Sequence, residues 1–304
     1  MHWQTTRFSL DLSRPRVMGI VNVTPDSFSD GGQHATSQAA MAHCEALIKD
    51  GADILDIGGE STRPGAPPVS QEDELARVLP VIRHAVTLGV PVSVDTYKPA
   101  VMQAALDLGA DIVNDIWALR WPGDAAGKTG KDVVAAHPSC GVCLMHMHRD
   151  PQTMQTAPME GDVVPQVLFF LERLAQDLRA LGIDKTRICL DPGIGFGKTV
   201  KQNFALLARQ AQAVPAGYAV LAGWSRKSSL AAVTNTSLAE AAGLNIELRR
   251  APSVTAAVLA VQNGAHVVRV HDVRDTVSAL RVLAAMQAEL EPPHSAAAPQ
   301  GRAL

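Results

Sequence analysis

The chain has 304 residues, of which 47% are hydrophobic and 19% are charged. Its 27 Lys and Arg residues stand against 30 Asp and Glu residues, and the net charge of −3 argues against a nucleic-acid binder held by phosphate neutralisation. The apolar content excludes a disordered chain and is enough for a large core. We therefore expect a folded globular protein of one large domain or two ordinary ones.

The cellular location is predicted from what the sequence lacks. No window approaches the ~18 consecutive apolar residues of a membrane span, and the opening MHWQTTRFSLDLSRPR has no apolar centre like that of a signal peptide. Four cysteines do not make a disulfide framework in a chain of this length. These features predict a cytoplasmic protein.

Eight short runs rich in Val, Ile and Leu are each followed by a turn and then by an Ala- and Leu-rich stretch of helical period. This alternation is typical of parallel βα units. Eight units in about 270 residues favour a single-domain α/β fold, the closed (β/α)8 TIM barrel, over an open doubly wound sheet. In chain order the predicted strands are 17–23, 53–57, 92–94, 111–113, 142–147, 188–190, 219–222 and 267–270.

The predicted helices, 39–49, 72–88, 99–108, 163–181 and 253–262, have apolar faces suited to packing around such a barrel. Loops 24–34 and 58–70 follow the first two strands, and their length and small residues suggest lids that close over a substrate. Segment 119–136 is predicted to be an extended, partly disordered loop. We assign 1–290 to the barrel and 291–304, EPPHSAAAPQGRAL, to a low-complexity C-terminal tail.

Each predicted strand ends on a polar or charged residue. The carboxyl ends of barrel strands surround one face, so these side chains are expected to converge on a single pocket. The alternative is that each polar residue only marks the end of its strand. The eight residues are Asn22, Asp56, Asp95, Asn114, His146, Asp191, Ser225 and His271.

Three short motifs are similar to known sites but fail on spacing or composition. Cys140 and Cys143, with two histidines nearby, suggest zinc, but residues three apart on a strand point to opposite faces, which favours ordinary packing. The turn DPGIGFGKT lacks the first glycine of a phosphate-binding Walker A loop, because Pro192 stands there, and is predicted to be a flexible turn from which Phe196 and Lys198 project. The segment GWSRK lacks the closing glycine of a nucleophile elbow.

The predicted barrel mouth carries both signs of charge. Arg63, Arg226, Lys227 and Arg269 lie at strand ends or in their loops beside His271, which suits an anionic group such as a phosphate. The alternative is a solvated rim. The carboxylates of Asp56, Asp95 and Asp191 at the same face can accept paired hydrogen bonds from the donor edge of a planar heterocycle.

Two long segments, VMGIVNVTPDSFSDGG from Val17 and GADILDIGGESTRPG from Gly51, resemble the signature segments of the dihydropteroate synthase family. The resemblance continues in order over almost the whole chain, with three departures. Trp224 stands at a variable position, loop 119–136 is longer than usual, and Pro252 stands where the family commonly has Gly. The other matching segments are SVDTYKP from Ser93, LGADIVNDI from Leu108, CLMHMHRDPQTMQ from Cys143, LDPGIGFGKT from Leu190, GWSRKS from Gly223 and GAHVVRVHDV from Gly264.

The resemblance implies a pterin-binding barrel that joins 4-aminobenzoate to 6-hydroxymethyl-7,8-dihydropterin diphosphate, releasing diphosphate and 7,8-dihydropteroate. It also implies Mg²⁺ as cofactor, sensitivity to sulfonamides, a homodimer, and neither a nucleic-acid nor a membrane partner.

The resemblance also implies roles for particular residues. Catalytic roles fall on Arg63, Lys227, Arg269 and His271. Pterin contacts fall on Thr62, Asp95, Asn114, Met145, Asp191 and Lys227. The 4-aminobenzoate pocket takes Phe28, Thr62, Arg63, Pro64, Phe196, Lys227 and Ser228. Diphosphate contacts fall on Asn22, Arg63, Arg269 and His271, with Asn22 as the metal ligand.

The chemistry favours a dissociative, SN1-like step, because the aryl amine is already neutral at pH 7 and gains little from a base. Catalysis then depends on charge balance at the departing diphosphate and on a fixed pterin ring. Replacing Arg269 is expected to impair turnover while sparing pterin binding. The alternatives are a pterin-dependent methyltransferase acting on a corrinoid protein, a non-catalytic pterin-binding homologue, and an aldolase that forms a Schiff base on Lys227.

Overall fold

The fold is a closed barrel of eight parallel strands, as predicted. The computed structural model describes residues 1–24, 32–61, 66–122, 127–234 and 247–290. The strands lie in chain order around the barrel, and the last pairs with the first. They are β3 (Arg16–Asn22), β4 (Ile54–Gly58), β5 (Val92–Asp95), β6 (Ile112–Asp115), β7 (Gly141–Met145), β8 (Ile188–Asp191), β9 (Ala219–Ala222) and β10 (Val267–Val270).

Helices connect successive strands on the outside of the barrel. The five predicted helices are present, and the described residues contain five more. None of these helices is long and apolar enough to cross a bilayer. They are α1 (Gly32–Lys49), α2 (Gln71–Ala85), α3 (Pro99–Asp107), α4 (Gly130–Ala136), α5 (Val163–Ala180), α6 (Val200–Ala208), α7 (Gln210–Ala213), α8 (Ser228–Val233), α9 (Glu247–Gln262) and α10 (Val273–Ala288).

Two apolar layers hold the barrel together, one inside it and one between the strands and the helices. Every residue of β4 and β7 is buried, because the interior covers one face of each strand and the helices cover the other. Cys143 packs in the inner layer and Cys140 in the outer one, which confirms that the two thiols point to opposite faces.

A short hairpin, β1 (His2–Gln4) and β2 (Ser9–Asp11), closes the amino-terminal end of the barrel and was not predicted. Trp3 is fully buried against the barrel interior, and its indole N–H donates to the carbonyl of Arg187 at 3.0 Å. Strands of three residues are too short for a periodicity signal. Since the hairpin covers this end, the site lies at the carboxyl ends of the strands.

The prediction of an extended loop over 119–136 is wrong for residues 130–136, which form α4. The Thr129 hydroxyl accepts the Asp132 backbone N–H at 3.3 Å, and the Asp132 carboxylate accepts the Thr129 backbone N–H at 2.8 Å. This is a capping box with Asp in place of the usual Glu or Gln. Val133 and Val134 bury the inner face of the helix.

Replacing Thr129 with Ala is expected to lower the free energy of unfolding by about 1 kcal/mol, because the Asp132 backbone N–H at the start of α4 loses its acceptor. Chemical denaturation measures this change. Ser278→Ala on α10 is the control, since that exposed hydroxyl bonds only within its own helix. Equal stability of the Thr129→Ala variant and the unmodified protein would show that the cap does not hold α4.

Candidate active site

Four side chains from the ends of β4, β5, β6 and β10 meet inside the barrel mouth. The Arg269 Nε donates to Asp56 at 2.5 Å, and its Nη2 donates to Asp95 at 2.5 Å. The Asn114 amide donates to the same oxygen of Asp56, Oδ2, at 3.2 Å and lies 3.4 Å from its Oδ1. Residues 213 positions apart are thus joined directly, as expected for strand ends in a barrel.

The charges in this cluster depend on one another. Burial raises the pKa of Asp95, and the Arg269 guanidinium opposes that rise. Burial alone would lower the pKa of Arg269, but the Asp56 and Asp95 carboxylates outweigh it and raise that pKa. Arg269 therefore stays charged and neutralises two carboxylates away from bulk water.

Three oxygen atoms in the mouth are available to accept hydrogen bonds. Asp191 uses one carboxylate oxygen to accept the Gly193 backbone N–H at 2.7 Å. Its other oxygen makes no hydrogen bond with the described residues, and the same holds for Asp95 Oδ1 and Asn114 Oδ1. All three residues are predicted pterin contacts. They present an acceptor edge that matches a ring carrying an amino group and an adjacent N–H.

A cation and two apolar side chains lie near these oxygens. Lys227 Nζ lies 4.4 Å from the centre of the Phe196 ring, and burial lowers the pKa of Lys227 to about 8 although Asp191 opposes the shift. Met145 packs in the same apolar cluster as Phe196. A flat ring between these groups would therefore contact apolar surface on its faces and polar groups at its edge.

The remaining predicted contacts at the mouth lie near the ends of β9, β10 and β3. His271 follows β10, and its Nδ1 lies 2.9 Å from the Ser225 hydroxyl, which also accepts the His271 backbone N–H at 3.1 Å. Ser228 is exposed at the start of α8, and Asn22 is half-buried at the end of β3. The predicted residues Phe28, Thr62, Arg63 and Pro64 lie outside the described residues.

The turn after β8 is tied down by Lys198, so the prediction that this side chain projects from the turn is wrong. Lys198 is 3% exposed, and its Nζ donates to the carbonyls of Gly193 at 2.7 Å and Phe196 at 3.1 Å. Gly193 has φ +69°, and a Cβ atom there would lie 1.8 Å from the carbonyl oxygen of His146. This turn presents Phe196 to the site.

His146 does not point into the mouth as predicted. Its ring packs edge-on against Phe170 of α5 with 4.7 Å between centres, and its Nδ1 lies 2.9 Å from Lys198 Nζ. Burial, with help from the Lys198 charge, lowers the pKa of His146 to about 2. The imidazole is therefore neutral and supports the turn through Lys198.

We expect the stability of the fold to rise with pH above 7 through Lys198. Burial lowers the pKa of this amine to about 7 from an ordinary value of 10.5. Between those two values the unfolded chain binds the proton more tightly, so raising the pH favours the folded state. Urea denaturation from pH 7 to 10 is expected to show a shallower rise for Lys198→Met than for the unmodified protein. Identical pH slopes would contradict this.

An ion cluster at the stem of the second loop, 58–70, was not predicted. Lys98 donates to both Glu60 and Glu74, and the Tyr97 hydroxyl donates to Glu60 at 3.0 Å. Lys98 and Glu74 are nearly fully buried. The only signal for this cluster in the sequence was Lys98, which stands before an apolar helix start. Lys98 and Tyr97 hold Glu60, which lies two residues before Thr62.

The fold and this site define a barrel enzyme of the pterin-binding class. The family model described as "Pterin binding enzyme" matches residues 18–271. Dihydropteroate synthase of Escherichia coli K12 is 47% identical over 281 residues, which cover 91% of this chain and 93% of that protein. The chain belongs to the dihydropteroate synthase family, whose members are transferases of folate biosynthesis.

Solved structures agree with this assignment. The Burkholderia cenocepacia dihydropteroate synthase complexed with 7,8-dihydropteroate is 47% identical with a TM-score of 0.83, and the alignment covers 95% of this chain and 97% of that one. The Xanthomonas albilineans enzyme with 4-aminobenzoic acid is 50% identical with a TM-score of 0.82, covering 92% and 96%. The predicted fold and family are thereby confirmed.

Proposed function

We propose that this chain condenses 6-hydroxymethyl-7,8-dihydropterin diphosphate with 4-aminobenzoate to give 7,8-dihydropteroate and diphosphate. The bond between the pterin methylene carbon and the diphosphate oxygen breaks, a bond from that carbon to the aryl nitrogen forms, and the nitrogen loses one proton. The observation that carries the proposal is the acceptor edge of Asp95, Asn114 and Asp191, with the Lys227 ammonium over the Phe196 ring close enough to interact with both aspartates.

The pterin ring is proposed to lie between these groups. Its amino group and ring N–H would donate to Asp191 and Asn114, and Lys227 would donate to the acceptors on the opposite edge. Met145 supplies apolar contact, and Asp95 contributes its second carboxylate oxygen. Fixing the ring in this way holds the methylene carbon in one position relative to both the leaving group and the amine.

The 4-aminobenzoate pocket is proposed to include the Phe196 ring, Lys227 and Ser228. Phe196 is 7% exposed and its ring is already in contact with the Lys227 ammonium. Ser228 opens α8, where exposed backbone N–H groups favour a carboxylate. We propose that Phe28, Thr62, Arg63 and Pro64 complete this pocket, and that sulfonamides compete for it.

The diphosphate is proposed to leave beside Arg269 and His271. Arg269 commits Nε and Nη2 to carboxylates, whereas its Nη1 makes no hydrogen bond with the described residues. That N–H group can donate to a phosphate oxygen without breaking either ion pair. Arg63 would add a second guanidinium, and Thr62 a hydroxyl.

Mg²⁺ fits the diphosphate end of the site as a shared ion. Among the described residues no three His, Cys, Asp or Glu gather into a metal site. Asn22 offers an amide oxygen that makes no hydrogen bond with the described part of the chain. Mg²⁺ commonly takes few protein ligands together with substrate phosphates. Asn22 would hold it there, where the ion would neutralise charge on the leaving group.

The proposed step is dissociative. The carboxylates of half-buried Asp95 and buried Asp191 favour the cation that develops on the pterin methylene group, and the apolar surface of Phe196 and Met145 excludes water from it. No described side chain needs to deprotonate the amine before it attacks.

One assay tests the proposed function. The purified protein is mixed with the pterin diphosphate, 4-aminobenzoate and Mg²⁺, and diphosphate and 7,8-dihydropteroate are measured together. We expect equal amounts of the two products. Binding without turnover would identify a non-catalytic homologue, and methyl transfer from methyltetrahydrofolate to a corrinoid protein without diphosphate release would identify a methyltransferase.

Three further assignments are proposals with physical support. The first is a cytoplasmic location, because the four cysteines are buried and unpaired, as is usual in a reducing compartment. Leu259 on α9 with Val282 and Met286 on α10 are exposed apolar side chains that suit a homodimer contact. The barrel domain is proposed to span 1–290, followed by a tail over 291–304 that lies outside the described residues.

A further inference from the structure

Arg226 has a backbone conformation that is unusual for a residue other than glycine. Its φ angle is +60°, and it occupies the third position of a turn in which the Lys227 N–H donates to the carbonyl of Trp224 at 3.2 Å. Turns with positive φ at this position normally have glycine or asparagine there. A strained residue of this kind persists only when its surroundings hold it in place.

The start of α9 holds the Arg226 backbone from both sides. The Arg226 N–H donates to the Ser253 hydroxyl at 2.9 Å, and its carbonyl accepts from Arg249 Nη1 at 3.3 Å. Ser253 is 3% exposed and donates its own proton to the Arg249 carbonyl at 2.6 Å. Since that proton is committed, the hydroxyl oxygen can serve Arg226 as an acceptor.

The Arg226 side chain is held from the end of β10. Its Nη2 and Nε donate to the two oxygens of Asp272 at 2.8 and 3.3 Å, and Arg250 Nε lies 3.8 Å from the same carboxylate. Asp272 is 8% exposed at its side chain. Arg226 was predicted among the cations that suit an anionic group, but the structure pairs it with Asp272.

We propose that Ser253 and Asp272 are positioning residues, which hold Arg226 in its left-handed conformation and thereby direct Lys227 into the site above Phe196. The inference rests on the proposed function, because Lys227 is the group that touches substrate. Lys227 directly follows the strained residue and is the last residue before α8. A change of φ at Arg226 would therefore turn the Lys227 side chain away from Phe196.

We call the contacts of Ser253 and Asp272 with Arg226 the clamp. The clamp explains why arginine occupies a position that normally has glycine. Glycine would adopt φ +60° without strain but would have no side chain to bind Asp272. Arginine carries the strain and in return ties the end of β9 to the end of β10. The same two strand ends are joined by the contact of Ser225 with His271.

The test compares Ser253→Ala with Thr255→Ala. Thr255 makes the same hydroxyl-to-carbonyl bond within α9 at 2.9 Å but is exposed and does not touch Arg226. Calorimetric affinity for 7,8-dihydropteroate is expected to fall about tenfold in Ser253→Ala and to stay unchanged in Thr255→Ala. Equal losses in the two variants would overturn the proposal.

A double-mutant cycle separates positioning from general damage. In a Lys227→Met background, Ser253→Ala is expected to cost less than about twofold in affinity, because the group it positions is already gone. The same loss in both backgrounds would mean that Ser253 acts without Lys227. Arg226→Gly removes the backbone strain together with the contact to Asp272, so the φ angle is no longer held and affinity is expected to fall as in Ser253→Ala. Unchanged affinity in Arg226→Gly would overturn the proposal.

A crystal structure of the Ser253→Ala protein decides the positioning without any ligand. Lys227 Nζ is expected to leave its place 4.4 Å from the Phe196 ring centre. An unmoved Lys227 would overturn the clamp even if the protein binds and turns over its substrates. Failure of turnover in the unmodified protein would count against the proposed function. It would not affect the conclusion from the position of Lys227 in the Ser253→Ala crystal structure.

Discussion

Replacing Asp191 with Ala is expected to abolish pterin binding. The carboxylate is 7% exposed at the end of β8, and the Gly193 backbone N–H fixes one of its oxygens while the other faces the cavity. Burial raises the pKa of Asp191, and Gly193, Lys227 and Lys198 each oppose that rise. Loss of charge-assisted hydrogen bonds to a buried ring, with the ring donors left unpaired, costs about 3 kcal/mol or more, roughly a 100-fold loss of affinity.

Calorimetry with 7,8-dihydropteroate measures this loss, and two further variants define its cause. Asp191→Asn keeps the shape but presents an N–H group to the ring donors, so we expect it to bind as poorly as Asp191→Ala. Asp177→Asn on α5 is the control, because that carboxylate is 46% exposed and its Lys131 partner is 3.6 Å away. Affinity that survives in Asp191→Asn would mean that the carboxylate fills space and does not accept hydrogen bonds from the ring.

Replacing Arg269 with Gln is expected to damage both the fold and the activity. The change leaves Asp56 and Asp95 without their partner in a buried setting, and breaking such a pair costs about 3–5 kcal/mol of folding stability. It also removes the Nη1 donor proposed for the diphosphate. Turnover is measured well below the melting temperature of the variant, where the variant is folded. We expect it to fall under these conditions, so that unfolding does not account for the loss.

The pH dependence of this loss has a definite sign. Without Arg269 the pKa of Asp95 rises further, so the folded variant binds a proton that the unfolded chain releases. Asp95 of the unmodified protein has a pKa of about 7, so the two proteins change in parallel below that pH. Above it only the variant still binds the proton, its stability continues to fall, and the gap to the unmodified protein widens. Arg209→Gln, which breaks a surface pair with Asp162, is expected to show no such widening. A stability difference between Arg269→Gln and the unmodified protein that does not change with pH would contradict the proposed charge coupling in this cluster.

The position of Arg269 also changes an expectation from the sequence. A guanidinium that served only the diphosphate would leave pterin binding intact when removed. Because Arg269 also holds Asp95 at 2.5 Å, its loss is now expected to weaken pterin binding as well as turnover. The sequence located the residue at the barrel mouth, but no spacing rule could show which carboxylates it pairs with.

The strands could be predicted because the barrel makes each of them a continuous apolar run. The start of α9 was predicted too late, because the helix was expected over 253–262 whereas it spans Glu247–Gln262 and includes Pro252. Pro252 is the sixth residue of the helix and has no N–H to donate to the carbonyl of Leu248 four residues earlier, so one backbone hydrogen bond is missing there. Helix α4 was missed because its capping box uses Asp132 and its neighbours include many glycines.

Convergence at the site followed from topology, whereas the direction of each side chain did not. Asp95, Asn114, Asp191 and Arg269 meet as expected for strand ends. His146 is the first residue after β7, and its side chain points outward to the Phe170 ring of α5 and not into the mouth.

The central claim is that Asp95, Asn114 and Asp191 form the edge that holds a pterin ring, and a crystal structure of this chain with 7,8-dihydropteroate tests it most directly. We predict the ring donors within about 3.2 Å of oxygens from all three residues, with Lys227 on the opposite edge of the ring. A pterin ring bound elsewhere, or bound here with its donors turned away from these oxygens, would contradict the account.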